Sequence, residues 1–162
     1  MGTSDHDPSF RIDHLQSLVT YRLSRLQARL NAQAQKLLEE HAGLSLSEWR
    51  VAVVLREAGE MSSADLVRLT QYDKAQISRN VGKLRGKGLV MDGGATQDQR
   101  VTRITLTQAG VAAIDKALPV MRERQGKLMA GLTVAEQQAL FEAIEKISDN
   151  IDRAEIDKGG GP

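Results

Sequence analysis

The sequence predicts a mostly α-helical fold carrying a small β-ribbon, with a helix-turn-helix pair near its centre. Three observations predict it. Apolar residues recur at spacings of three and four through most of the 162-residue chain. Only five residues are aromatic (Phe10, Tyr21, Trp49, Tyr72 and Phe141), so a core must be built from Leu, Val, Ile and Ala, which suits packed helices. Strict alternation appears in RVTRITL, after the turn-rich GGATQDQ, and marks a strand.

Residues 1–9 and 158–162 are expected to be disordered ends. From Ile12 the apolar positions Leu15, Leu18, Val19, Leu23, Leu26, Leu30, Leu37 and Leu38 predict a helix reaching about Glu40. That is more helix than a small domain needs to cover its core, and it points to a partner surface. Ser45 and Glu48 form a capping box, with Leu44 and Trp49 as its hydrophobic staple. They start a helix over 46–58 that stops near Gly59. The serines of SSADLVRLT cap a short helix. After a link from Thr70 to Tyr72, Asp73 and Gln76 open the next helix with a variant box. LVMD and RVTRITL form a two-stranded ribbon. Thr107 caps a helix that passes Ile114 and Leu118, and Pro119 inside it predicts a kink or break. Gly131 ends that segment. Thr133 and Glu136 box the last helix, whose seam is Leu140, Ile144, Ile147 and Ile151, to about Ile156.

Composition removes several function classes. There are no cysteines, which excludes disulfides, thiol catalysis, cysteine-based oxidant sensing and Cys-ligated zinc. No apolar run has the length of a membrane span, and the N-terminal MGTSDHDPSF is acidic and polar rather than a secretory signal, so a cytoplasmic protein is expected. His6, His14 and His41 are far apart and have no metal-ligand spacing. Glu39 and Glu40 are adjacent and do not face each other, so they make no acid–base dyad. With no nucleophile motif and no phosphate loop, neither an enzyme nor a cofactor is expected.

Charge is informative only by segment. The chain carries a formal +1, but residues 61–105 hold eight bases against four acids, while 133–158 hold seven acids against three bases. Phosphates attract one region and repel the other, which orients docking. The basic region contains DKAQISRNVGKLRGKGLV. At 100° per residue, Val81 and Leu84 fall within about 40° of Ile77, and this seam faces the core. Ala75, Arg79 and Gly82 lie opposite, flanked by Ser78 on one side and by Gln76 and Lys83 on the other. Gly82 costs the helix about 1 kcal/mol relative to Ala, which close approach to another surface would justify. A short helix, a turn and an amphipathic second helix match the motif whose second helix enters the major groove. Arg79 is placed to reach a guanine bidentately and Ser78 to bond base or phosphate. Lys74 and Arg85, nearer the flank, suit phosphate contact, and Lys83 suits either phosphate contact or plain solvation. Ser62, at the start of the short helix, joins the DNA-contact candidates.

The order of parts, with ISRNVGKLRGKGLV and DQRVTRITLTQAG as the most specific runs, resembles the MarR family of winged helix-turn-helix regulators over roughly residues 10–155. The resemblance implies a winged helix-turn-helix DNA-binding domain over 44–106. It also implies a helical dimerisation region made of 10–43 and 107–157. The implied protein is a homodimeric repressor that sets one winged domain on each half of a pseudo-palindromic duplex. Ser78 and Arg79 match the recognition-helix Ser-Arg, with Ala75 and Gln76 at its leading turn. Asp98 and Arg100 match the wing D-x-R, with Arg100 in a narrow A·T minor groove and Asp98 holding it; a turn-forming Asp98 is the plainer alternative. The run MDGGATQDQR departs from the family's commonly Arg- and Pro-bearing wing, and Gly82 stands where an Asp is common. A more flexible and less basic wing follows.

The same resemblance implies release by a small aromatic acid or phenol bound between the two regions, through a half-site spacing that DNA cannot match. His14, Leu18, Trp49 and Arg50 are the candidate effector contacts, although a staple and core role suits Trp49 better. The competing reading is a winged-helix protein-interaction adaptor without DNA binding, which the glycine-rich wing keeps open.

Overall fold

The computed structural model describes residues 18–93 and 102–159, with side chains to residue 153. The predicted tails at 1–9 and 160–162, the helix start at Ile12, and the wing loop 94–101 lie outside the described residues. The elements are α1 (Val19–Ala42), α2 (Leu46–Ala58), β1 (Met61–Ser62), α3 (Ser63–Thr70), α4 (Lys74–Gly86), β2 (Val90–Asp92), β3 (Arg103–Leu106), α5 (Gln108–Met129) and α6 (Val134–Gly159). Two compact units divide within α5: residues 1–121, and Arg122 onward.

Local chemistry sets the helix ends. In α1, Leu18 is extended (φ −75°, ψ 124°) and Gly43 closes the helix in the left-handed region at φ 62°. The predicted capping box of α2 is formed: the Glu48 N–H donates to Ser45 Oγ (3.2 Å) and the Ser45 N–H to Glu48 Oε2 (2.6 Å). Asp73 caps α4, accepting the Gln76 N–H at 2.7 Å. Thr107 receives the Gly110 N–H at 3.0 Å, and Thr133 with Glu136 boxes α6.

Three expectations need correction. The sheet has three antiparallel strands in the order β1-β3-β2, because Met61 and Ser62 pair with Ile104 and Arg103 on the free edge of the predicted ribbon. Two residues cannot show an alternating pattern, so β1 carries no periodic signal of its own. Pro119 does not break α5, which runs through it. Pro119 is exposed, and the missing N–H removes one bond from a helix anchored by buried Ile114 and Ala117. The last helix reaches Gly159 rather than ending near Ile156, so 158 and 159 belong to it.

The core of the first unit is aliphatic, as the composition predicts. Leu38, Leu44, Val51, Leu55, Leu66, Ile77, Leu84, Ile104 and Ile114 are at most 2% exposed, and Trp49 completes the cluster. It joins α1, α2, α3, α4, the sheet and the start of α5, and fixes the helix-turn-helix pair on its support. In the second unit the apolar positions of α6 are open: Val134, Leu140, Phe141, Ile144 and Ile151 are exposed. The start of α1 likewise exposes Leu18, Val19, Leu23 and Leu26. No described helix is long and apolar enough to cross a membrane.

Candidate nucleic-acid interface

The interface is built from α3, a short turn and α4. Ser62 caps α3 in a reciprocal box: its hydroxyl donates to Asp65 Oδ2 at 2.7 Å and accepts the Asp65 N–H at 3.2 Å. These bonds hold the Asp65 carboxyl below its ordinary range, the Ser62 hydroxyl being the largest cause. The Ser62 hydroxyl is thus engaged within the protein. Gln71 ends α3 in the left-handed region (φ 61°), which turns the chain into Asp73 within three residues.

On α4, Ile77, Val81 and Leu84 are buried, as the helix arithmetic requires. Lys74, Ala75, Ser78, Arg79, Gly82 and Lys83 are exposed, and Gln76 is half-buried beside its cap. Among the described residues Lys74, Arg79 and Lys83 have no hydrogen-bond or ion-pair partner. A Cβ added at Gly82 would meet nothing within 4 Å, so nothing inside the protein demands a glycine there. The outward face is therefore cationic, polar and low in profile. Asp98 and Arg100 lie outside the described residues.

Three interactions around α4 were not read from the sequence. Asn80 is 3% exposed, and its Oδ1 accepts from Ser47 Oγ at 3.1 Å while its Nδ2 has no partner among the described residues. Its position, 60° from Ile77, could have flagged it as core-facing. Lys87 Nζ donates to Glu48 Oε2 and to the Gly43 carbonyl, both at 2.8 Å. Burial opposes ionisation of Glu48, but bonds from Lys87 and from the Ser45 N–H and hydroxyl outweigh it and hold the carboxyl below its ordinary value. Arg85 Nη2 pairs with Asp92 Oδ1 at 2.5 Å, joining the last turn of α4 to β2. The last two link residues 39 and seven apart, and spacing alone predicts neither.

The effector candidates divide. His14 lies outside the described residues. Trp49 is a core residue. Arg50 is exposed and donates to the Tyr72 hydroxyl (3.1 Å) and to Asn31 Oδ1 (3.2 Å). Leu18 stands 13 residues before Asn31 on the same rod, about 20 Å along the axis, so Leu18 and Arg50 do not line one cavity within a protomer. A different groove, of about 360 Å³, runs along α1 between Tyr21, Arg22, Arg25, Leu26 and Arg29, with the Arg25 guanidinium 5.8 Å from the Tyr21 ring centroid. The i, i+4 spacing of Tyr21 and Arg25 was a legible signal for that contact.

Comparisons with known proteins agree with this geometry. The model of the MarR family matches residues 42–100. The HTH-type transcriptional repressor IacR of Pseudomonas putida is 28% identical over 151 residues, 93% of this chain and 90% of its own. The crystal structure of a MarR/EmrR family transcriptional regulator from Acinetobacter sp. ADP1 superposes with a TM-score of 0.76 at 27% identity, covering 88% of this chain and 99% of its own. A transcriptional regulator of M. tuberculosis, solved in complex with DNA, shares the fold at a TM-score of 0.69 and 23% identity, covering 85% of this chain and 98% of its own.

Proposed function

The chain belongs to the MarR family, and from that premise we propose that it is a sequence-specific, duplex-DNA-binding transcriptional repressor rather than an enzyme or adaptor. The observation that carries this reading is the outward face of α4, where Arg79 and Lys83, and Lys74 on the flank, have no partner among the described residues and surround exposed Ser78, Ala75 and Gly82. Arg79 reads a base edge, Ser78 contacts base or phosphate, and the two lysines neutralise phosphates. The repressor IacR supports the regulatory sign.

The protein works in the cytoplasm as a homodimer on a pseudo-palindromic site. Support comes from the apolar residues left open on the first turns of α1 and along α6, which a second copy would cover. A small aromatic acid or phenol acts as effector. The open groove beside Tyr21 and Arg25 has the chemistry for such a ligand, a cation next to an aromatic face.

The test is selection of bound duplexes from a random pool. A two-fold repeat with half-site centres about one helical turn apart is expected. Arg79→Ala should relax the preference at one base pair of each half-site, by about 1–3 kcal/mol of discrimination. An unenriched pool, with no salt-linked affinity for any duplex, would favour an adaptor.

A further inference from the structure

Resting on that reading, we propose that Asp92 is an affinity-setting residue: its carboxylate competes with a DNA phosphate for the guanidinium of Arg85. Between Lys74 and Gly93 the chain has five bases and a single acid, Asp92. Lys87 is committed to buried Glu48 and the Gly43 carbonyl. Among the described residues Lys74, Arg79 and Lys83 have no partner, Arg79 and Lys83 on the outer face and Lys74 on the flank. That leaves Arg85, whose charge the one acid neutralises through a direct bond.

The setting of the pair argues against a purely structural role. The side chains of Arg85 and Asp92 are 47% and 58% exposed, and exposed ion pairs contribute little to stability. β2 is already held by backbone pairing of Val90, Met91 and Asp92 to Leu106, Thr105 and Ile104, and the Gly93 N–H continues the ladder to the Arg103 carbonyl at 2.8 Å. At 80° from Ile77, Arg85 stands on the flank of α4, the side that faces a phosphate backbone when the opposite face enters the groove. A duplex therefore offers Arg85 a second anion. The switch exchanges one ion pair for another, and it leaves Asp92 unpaired near the DNA backbone. Both effects lower affinity relative to a chain without the carboxylate.

The experiment compares the full-length parent with Asp92→Asn, Arg85→Gln and the double variant. The readout is fluorescence anisotropy on the duplex enriched from the random pool, across a series of KCl concentrations. Asp92→Asn is expected to bind about three- to tenfold tighter at low salt, and the slope of log K against log salt should steepen by about one. Arg85→Gln should erase that gain in the double variant. Equal affinity and slope for Asp92→Asn and parent would overturn the proposal. So would weaker binding by Asp92→Asn, which would make the pair a brace for the wing. Thermal unfolding of each variant separates a misfolded protein from a weak binder; Asn keeps the side-chain volume, and Asp92→Ser with the same gain in affinity would confirm the charge effect. A parent without salt-linked affinity for any duplex would overturn the underlying functional reading as well, and is recognised before the variants are compared.

Discussion

At the scale of single residues, Gly82 and Lys87 make opposite bargains. Gly82 sits in open space on α4 with helical backbone, so an alanine there meets no obstacle. Gly82→Ala should raise stability by about 1 kcal/mol in urea unfolding and at the same time reduce duplex affinity. A gain in stability without a loss of binding would show that the bare backbone is not used for close approach. Lys87 is the cationic partner of a carboxyl that is 2% exposed. Lys87→Met leaves Glu48 buried without its cation and should cost about 3 kcal/mol near neutral pH, somewhat less because Lys87 itself is partly exposed. The sign of the pH dependence follows from the direction of the shift. The folded pKa of Glu48 lies below its ordinary 4.5. The pair's contribution is therefore complete above that value and fades as pH falls through the folded one. Parent and variant should converge in stability in acid, and unfolding at pH 7 and below pH 4 checks it.

At the scale of elements, the helices were legible because their ends carry their own chemistry. Ser45, Asp73, Thr107 and Thr133 each cap the helix that their sequence context assigned to them. Asp73→Ala should destabilise the protein by about 1 kcal/mol and fray the turn that carries Lys74 to Ser78; loss of stability in urea with a larger loss in duplex affinity is the expected pair of results. The candidate face was legible too, since a 100° step separates Ile77, Val81 and Leu84 from Arg79 without any tertiary knowledge. What the sequence hid was tertiary. β1 is two residues long and exists only because β3 lies beside it. The partner of Asn80, Ser47, is 33 positions away, and Glu48 and Lys87 meet across 39. Of the kink or break expected at Pro119, the break does not occur, because the helix continues through it.

At the scale of the whole molecule, charge and apolar surface are segregated along the chain. The basic segment 61–105 contains the α4 face, whereas α6 is acidic and exposes Val134, Phe141 and Ile151. A monomeric protein rarely leaves so many large apolar side chains open on one helix. Phe141→Glu should convert the dimer to monomer in sedimentation equilibrium and reduce affinity for the two-fold site far more than for a single half-site. An unchanged mass would place the subunit contact elsewhere.

Gly110 shows how little slack this architecture tolerates. A Cβ on Gly110 would collide with the Leu89 carbonyl oxygen, and that same oxygen accepts the Thr107 N–H at 3.0 Å while Thr107 Oγ1 donates to the neighbouring Gly88 carbonyl at 2.7 Å. Backbone rests on backbone there, with the Leu106 side chain packed beside the contact. Leu89, whose carbonyl bears the contact, is one residue before β2, so the first turn of α5 is seated directly against the root of that strand. The joint works as a rigid lever mount, and replacing its glycine would wedge it open.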